Sequence, residues 1–333
     1  MLFKANLLPF LLLIILSVCP AVTAQMASHD AKNNTFSIVA HDPATGQIGV
    51  AVQSHWFSVG SAVSWAEAGV GAVATQSLTN KSFGPRGLQL LKEGKTPQEA
   101  LDILIESDDG RDFRQAAIVD AQGRVAVYTG EKCIAEAGHI QGDGFSVQAN
   151  MMLNNTVWDA MAKTFEQKQG PLAERMVAAL KAGQAAGGDI RGQQSAALLV
   201  VNGEKTDQPW EDRLIELRVE DHPDATSEIA RLLNLHRAYE HMNSGDEAIE
   251  HSDVEIALEE YSAAMNMFPK NIEMKYWTAV SLANAGRINR ALPLFRIVFY
   301  KDRTWIALTK RIVDNEILNV PESDLKSILS VVH

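Results

Sequence analysis

The first two thirds of the chain alternate between strand-like and helix-like hydrophobic patterns. Residues 36–52 hold two apolar runs rich in β-branched residues, joined by Asp42-Pro43-Ala44-Thr45-Gly46. Proline and glycine at these offsets predict a tight turn, and therefore a β-hairpin. Further strands are predicted at residues 61–65, 70–76, 114–120, 124–129, 145–151, 195–201 and 214–219, and helices at 85–93, 97–107, 156–168 and 171–186.

This order of elements favours a layered α+β fold. Strands are followed by two helices, then strands, two more helices and final strands, which is typical of antiparallel sheets covered by helices on the outside. Thr96 followed by Pro97 has the pattern of an N-cap with proline at the first helical position, so it marks a helix start. An all-β sandwich would not use helices in pairs.

The remaining third, from residue 223, reads as helical and contains an internal repeat. Ala257, Leu258 and Tyr261 recur 34 residues later as Ala291, Leu292 and Phe295, and 34 residues is the length of a tetratricopeptide repeat. The first copy matches the repeat pattern at Gly245, Ala264 and Pro269 as well, whereas the second keeps Ala279 but has Val298 and Arg303 at the last two positions. Because two imperfect copies are few for a free solenoid, we expect this all-α region to pack on the first domain.

Composition and charge narrow the function classes. The chain has 333 residues, 46% of them hydrophobic, and a formal net charge of −11. So acidic a surface argues against nucleic acid or an anionic membrane as partner.

The N-terminus has the pattern of a secretory leader. Residues 1–24 contain Lys4, a short apolar run and small residues before a cleavage site at Ala24, and no second apolar segment of spanning length follows. We therefore predict an exported protein, periplasmic or secreted, with no integral membrane segment after the leader is removed. Cys19 lies within the leader in a weak match to a lipoprotein acylation site, because Val18 is too large for a good match.

Cysteine and histidine provide little further chemistry. After leader removal Cys133 is the only cysteine, so no internal disulfide can form, and a small packed residue is a better interpretation of it than a catalytic thiol paired with His139. The nine histidines show no metal-ligand spacing. We expect no metal and no cofactor.

Thr35 stands at the head of the first predicted strand, shortly after the leader. If proteolysis made it N-terminal, its own α-amine, with a reference pKa near 8, would lie beside the hydroxyl and could accept its proton. One residue would then supply both nucleophile and base. The alternative is that Thr35 is only a β-branched residue that begins a strand after a turn at Asn34.

Several separated motifs lie between Thr35 and residue 198. They are Thr35-Phe36-Ser37-Ile38-Val39-Ala40, the turn 42–46, and the segments 69–76, 84–88 and 187–198. Together they resemble an uncharacterised prokaryotic family, the "domain of unknown function 1028" family. The resemblance covers about Thr35 to Asp221 and implies an αββα four-layer sandwich similar to that of the N-terminal-nucleophile (Ntn) hydrolases, but no settled substrate. Many members begin Met-Thr-Phe-Ser, whereas here residues 25–34 stand before Thr35.

Other polar residues lie at predicted strand ends and loops. Asp189 and Arg191, in the glycine-rich loop 187–195, can organise a pocket or simply pair with each other. Arg86 can bind a carboxylate or pair with a nearby acid. The candidate catalytic residues are Thr35, Gln76, Asn80, Asp189 and Gln194, and the candidate substrate-binding residues are His55, Arg86, Arg191 and Ser195.

We therefore expect a possible pro-segment at residues 25–34, an Ntn-hydrolase-like domain at 35–222 and a tetratricopeptide-like domain at 223–333. The first hypothesis is an exported amidohydrolase of a small amide or peptide, with Thr35 as nucleophile. The second is a non-catalytic exported binding module whose helical repeats dock a protein partner. A third hypothesis is cell-wall peptide processing, which export permits but no residue demands.

Overall fold

The computed structural model describes residues 32–33 and 35–332, which belong to one compact unit. The predicted leader at 1–24, Cys19 and most of the possible pro-segment lie outside the described residues. Within the described residues, no helix has the length and apolar character needed to cross a membrane.

The strands form two antiparallel sheets. Sheet A has the order β1-β5-β6-β7, with β4 also paired to β5, and sheet B has the order β11-β10-β3-β2-β9-β8. The strands are β1 Lys32–Asn33, β2 Thr35–His41, β3 Ile48–Ser54, β4 Ser64–Glu67, β5 Gly71–Leu78, β6 Arg114–Asp120, β7 Val125–Thr129, β8 Gly138–Gly142, β9 Phe145–Asn150, β10 Ser195–Val201 and β11 Arg213–Val219.

The helices fall into two groups, those interspersed among the strands and those that follow the last strand. The first group comprises α1 Gly60–Val63, α2 Phe83–Lys92, α3 Pro97–Glu106, α4 Val157–Gln167 and α5 Leu172–Ala185. The second comprises α6 Ala225–Glu250, α7 Val254–Met267, α8 Ile272–Asn284, α9 Ile288–Lys301, α10 Thr304–Asp314 and α11 Glu322–Leu329.

The sheets and the first group of helices stack in four layers. Helices α2 and α3 pack on the outer face of sheet A, where Phe83, Leu104 and Ile118 belong to one apolar core cluster. Helices α4 and α5 pack on the outer face of sheet B. The inner faces of the two sheets pack on each other through small and β-branched residues such as Val50 and Val119. Both faces of these strands are thus buried. This explains why they read as continuous apolar runs and not as an alternation of apolar and polar residues.

Most of the predicted elements are present. The β2–β3 hairpin forms as predicted, and Thr96 makes a capping box with Glu99. The predicted strand at 61–65 is wrong in its first half, because residues 60–63 form the short helix α1 and the strand covers 64–67. Strand β8 was not predicted: it is an exposed edge strand whose composition, Gly-His-Ile-Gln-Gly, carries little hydrophobic signal.

In the helical region the residues related by a shift of 34 are buried, except Leu292, which is half-buried. Tyr261 on α7 packs so closely on α6 that a Cβ added to Gly245 would lie 2.4 Å from its ring. The corresponding residue on α9, Phe295, is also fully buried. Helix α6 contacts α5 and the strands β10 and β11, and Arg237 on α6 forms a bidentate pair with Glu174 on α5, with N–O distances of 2.8 and 3.1 Å. The helical region therefore packs on the sheet domain.

Candidate functional site

The space between the two sheets changes from apolar to polar along the strands. On β2 the inward positions run Val39, Ser37, Thr35, and on β5 the inward side chains change from alanine to Gln76. Thr35, Ser37 and Gln76 are fully buried. Because a buried polar group must find a partner, this end of the sandwich holds a hydrogen-bonded network instead of a packed apolar core.

Thr35 is the first residue of β2 and lies at the polar end. In register it stands opposite Ser54 of β3 on one side and Asn150 of β9 on the other. Its hydroxyl donates to the Ser54 hydroxyl oxygen at 3.1 Å. Its carbonyl oxygen accepts from the side-chain amides of Gln76 at 3.2 Å and Asn150 at 3.4 Å. Thr35 is therefore held from both sheets.

Gln76 joins the two sheets. Its Oε1 accepts from the Ser37 hydroxyl at 2.6 Å, and its Nε2 lies 2.8 Å from Oε1 of Gln115. The same nitrogen also donates to the carbonyl oxygens of Thr35 and Gln148, each at 3.2 Å. Both ends of the amide are thus hydrogen-bonded, so Gln76 connects the two sheets beside Thr35 and is not a free donor.

The network continues through Gln115 of β6 to the edge of sheet A. Gln115 Nε2 donates to the Thr129 hydroxyl at 2.8 Å, and this hydroxyl lies 2.8 Å from Nδ1 of His139. Asn150 Nδ2 donates to Gln115 Oε1 at 3.0 Å, whereas the buried Asn150 Oδ1 has no hydrogen-bond partner among the described residues. One acceptor opposite Thr35 in register is therefore unused.

The chain reaches Thr35 from the other sheet. Lys32 and Asn33 pair with Leu78 and Ser77 of β5 in sheet A, whereas Thr35 already belongs to sheet B. Lys32 and Asn33 thus belong to one sheet and Thr35 to the other. In the intact chain, Thr35 is fully buried and its nitrogen is part of a peptide bond.

The loop 187–195 holds the end of β3. Asp189 is buried, and its carboxylate accepts from the backbone nitrogen of His55, next to Ser54, at 3.1 Å. It also accepts from the backbone nitrogen of Arg191 at 2.9 Å and from its Nη2 at 2.7 Å. The loop can turn this tightly because Gly187, Gly188 and Gly192 have positive φ angles. Asp189 and Arg191 pair with each other, as the alternative interpretation predicted.

His55, Gln194 and Ser195 lie around the same strand end. His55 Nδ1 is buried with no hydrogen-bond partner within the described part of the chain. The Gln194 backbone nitrogen donates to the Ser54 carbonyl at 3.1 Å, but its side chain points to Asp221, also at 3.1 Å. The Ser195 hydroxyl accepts from the Val59 nitrogen at 3.0 Å and donates to the carbonyl of Trp56. Gln194 and Ser195 thus hold the end of β3 and the segment that follows it in place, Gln194 through its backbone and Ser195 through its hydroxyl.

Asn80 and Arg86 have partners outside the inter-sheet network. Asn80 Nδ2 donates at 2.9 Å to Asp108, which also forms a largely buried ion pair with Arg114 at 2.9 Å. Burial alone would raise the pKa of Asp108, but the hydrogen bonds from Arg114 and Asn80 outweigh it and keep the pKa below its ordinary value. Arg86 donates to the Ser107 hydroxyl at 3.0 Å on the exposed surface of α2 and α3.

Sequence reasoning missed most of the network. Ser37, Ser54, Gln115, Gln148 and Asn150 are all fully buried and were not singled out. A signal was present, because β9 reads Phe-Ser-Val-Gln-Ala-Asn and places three polar residues at alternate positions of an otherwise apolar strand. Polar residues on the inward face of a buried strand predict either partners across the core or a site.

Thiol and metal chemistry have little geometric support. The Cys133 thiol donates to the carbonyl of Arg114 at 3.3 Å, and burial raises its pKa. A raised pKa lowers the thiolate fraction, and hence the reactivity. Among the described residues, no three His, Cys, Asp or Glu side chains cluster as metal ligands would.

Comparison with known proteins assigns the chain to a family. A family model described as "Family of unknown function (DUF1028)" matches residues 35–229. The chain belongs to this family. The match begins at Thr35 and ends within α6, so the helices from α7 onward lie outside it. The family resemblance predicted from the sequence motifs is confirmed.

A solved structure of the same family shares the fold. The crystal structure of a protein from Silicibacter pomeroyi, assigned to this family, is 31% identical to this chain, with a TM-score of 0.55. The alignment covers 60% of this chain and 84% of that one. No curated protein matches the chain.

Proposed function

We propose that this protein is an exported amidohydrolase of the N-terminal-nucleophile type, with Thr35 as its nucleophile. The observation that carries the proposal is the position of Thr35, the first residue of a central strand, at the polar end of the space between two sheets. The family match begins at the same residue, which supports a shared role for this position. The four-layer arrangement of the sheets and helices is consistent with such an enzyme.

The chemistry requires that the bond between Asn34 and Thr35 is hydrolysed first. Attack of the Thr35 hydroxyl on the carbonyl carbon of Asn34 would shift the acyl group from nitrogen to oxygen. Water would then cleave the resulting ester, leaving a carboxylate on Asn34 and a free α-amine on Thr35. An amide nitrogen is not a base, but the new amine has a reference pKa near 8 and is partly unprotonated at neutral pH.

In the mature enzyme Thr35 would act as nucleophile and base. Its α-amine takes the hydroxyl proton while Oγ1 attacks the carbonyl carbon of the substrate amide, and the protonated amine then delivers this proton to the leaving nitrogen. The acyl group remains on Oγ1 as an ester. A water molecule deprotonated by the same amine hydrolyses the ester and regenerates Thr35.

The neighbours of Thr35 have positioning roles in this scheme. The Ser54 hydroxyl oxygen, 3.1 Å from Thr35 Oγ1, orients the nucleophile, and Gln76 holds the Thr35 carbonyl. The unpartnered Oδ1 of Asn150, which stands opposite Thr35 in register, is available to accept a hydrogen bond from the new amine. Asp189 fixes the strand end that carries Ser54 through its bond to the His55 nitrogen.

Release of the preceding segment would open the site. In the intact chain, Lys32 and Asn33 pair with β5, and Thr35 is fully buried. Cleavage would separate this two-residue strand from β2, so it can leave sheet A and give solvent and substrate access to Thr35. Export through the predicted leader would place the active form in the periplasm or outside the cell.

A covalent probe tests the proposal without knowledge of the substrate. A β-lactone opened by the Thr35 hydroxyl would form an ester and add the whole mass of the lactone to the chain. We expect the exported protein to be labelled once, on the peptide that begins with Thr35. Thr35→Ser should retain labelling and Thr35→Ala should abolish it, whereas Ser37→Ala, two residues along the same buried face, should be labelled.

Two results would contradict the proposal. Equal labelling of wild type and Thr35→Ala would move the nucleophile to another residue. No labelling of a chain shown to begin at Thr35 would indicate that the hydroxyl is not activated by its amine.

A non-catalytic binding module is the second candidate function. The observation that favours it is that the helices from α7 onward lie outside the family match and present an exposed groove. In that case Thr35→Ala would leave partner binding and the phenotype of the organism unchanged.

A further inference from the structure

A groove lies in the helical region, far along the chain from Thr35. It has a volume of about 650 Å³ and is formed by the α7–α8 connection, the start of α8 and the second half of α9. We call it the basic groove, because four of its eight lining residues are cations: Lys270, Lys275, Arg296 and Lys301.

The basic groove has no acidic residue in its lining, although the protein as a whole carries a net charge of −11. None of its four cations forms an ion pair with a carboxylate of the described residues. Lys275 donates to the carbonyl of Pro269, which holds its ammonium at the groove wall. Like charges so close together repel each other, so an unpaired cluster of this kind favours the approach of an anionic ligand.

The walls between the cations are apolar and exposed. Tyr300 is 88% exposed and Ile297 is 47% exposed, and both lie on the face of α9 opposite the buried Phe295. Ile272 at the start of α8 completes the apolar lining. A large exposed tyrosine beside an isoleucine is the type of surface that binds an apolar side chain of a partner.

We propose that the basic groove docks an acidic peptide segment of a partner protein that also carries apolar side chains. The carboxylates would pair with the cations at the rim, and an apolar side chain would pack between Tyr300 and Ile297. A flat anionic membrane fits less well, because the site is concave and the net negative charge of the rest of the protein repels such a surface. The site adds a binding function outside the part of the chain that the family shares.

Selection from a random peptide display library, with the full chain as bait, tests this inference. We expect the enriched peptides to carry a net negative charge together with aromatic or aliphatic residues. A selected peptide, labelled with a fluorophore, should bind with an affinity that falls as salt concentration rises, since exposed charge pairs are screened.

Charge-reversal variants locate the binding site. The double variant Arg296→Glu with Lys301→Glu should weaken the selected peptide about tenfold or more, because two attractive contacts become repulsive. Arg290→Glu is the control for the single variant Arg296→Glu, which changes the net charge by the same amount, since Arg290 is an exposed cation on the same helix that does not line the groove. It should bind the peptide as the wild type does. Tyr300→Ser should weaken binding while leaving its salt dependence in place.

The inference fails under any of three outcomes. Enriched peptides without an acidic bias, or no enrichment at all, would contradict the claim that the cations of the groove attract an acidic peptide. Equal weakening by Arg290→Glu would show that only the net charge matters. The third outcome is that no peptide binds, but the chain dimerises or binds anionic vesicles, and the double variant abolishes that association. The groove would then be assigned to a second copy of the chain or to a membrane.

Discussion

Gln76 and Gln53 offer a sharp test of the inter-sheet network, because they are the same residue type with the same burial and opposite hydrogen bonding. Both residues are fully buried. The amide of Gln76 is bonded at both ends, whereas neither polar atom of the Gln53 amide has a partner within the described residues. Replacement by methionine keeps nearly the same volume and removes the polar groups in each case.

The expected cost of Gln76→Met follows from its four hydrogen-bond contacts. Because the two N–H groups of the amide are shared among three acceptors, these contacts amount to about three full bonds, and at about 1 kcal/mol net for each their loss would cost about 3 kcal/mol. The Thr35 carbonyl and Gln115 Oε1 retain bonds from Asn150, which lessens the loss, whereas the Ser37 hydroxyl loses its acceptor. We therefore expect Gln76→Met to lower the free energy of unfolding by about 2 to 4 kcal/mol.

Gln53→Met should have the opposite sign or no effect. No hydrogen bond is lost, and a buried amide whose desolvation is uncompensated disappears, which stabilises the fold by up to about 1 to 3 kcal/mol. Urea denaturation followed by far-ultraviolet circular dichroism measures both variants against the wild type. Equal destabilisation by the two variants would refute the reasoning, because it would show that the hydrogen bonds of Gln76 contribute nothing beyond packing.

Two further predictions concern the helical region and the Asn80 cluster. Gly245→Ala should lower the free energy of unfolding in urea by about 1 to 3 kcal/mol, because the added Cβ would lie 2.4 Å from the Tyr261 ring and clash with it. This cost should exceed the gain from the better helix propensity of alanine. Unchanged stability would contradict this close packing. The pKa of Asp108 is lowered in the folded state. Its ion pair with Arg114 therefore contributes fully to the free energy of unfolding above the pKa of the unfolded chain, near 3.9. This contribution is lost as the pH falls below that value. The wild type should therefore lose more stability than Asp108→Asn between about pH 5 and pH 3 in urea denaturation, and parallel curves would show that the pair does not contribute.

The sequence predicts those parts of the fold that depend on neighbouring residues. The β2–β3 hairpin and the helix start at Thr96 depend on turn and capping residues within a few positions, so local chemistry determines them. Strand β8 was missed because its pairing with β9, and not its own hydrophobicity, makes it a strand. Two-residue β1 exists only through its pairing with β5, for the same reason.

The candidate site is less predictable, because it is assembled from residues distant in sequence. Thr35, Gln76 and Asn150 come from three strands of two sheets, and only the stacking of the sheets brings them together. Asn80 follows Gln76 by four residues, yet it lies in a separate cluster with Asp108, because the chain turns to the outer face of sheet A after β5. Position in sequence alone does not distinguish these two amides.

The N-terminus of the exported, active protein tests the central claim most directly. The chain should be produced with its own leader, purified from the exported fraction, and analysed by intact mass together with N-terminal sequencing. We predict a chain that begins at Thr35, and we predict that the Thr35→Ala variant begins at Gln25, since it lacks the hydroxyl that would cleave the bond after Asn34. An active wild-type preparation that begins entirely at Gln25 would contradict the account, because the nitrogen of Thr35 would still be an amide.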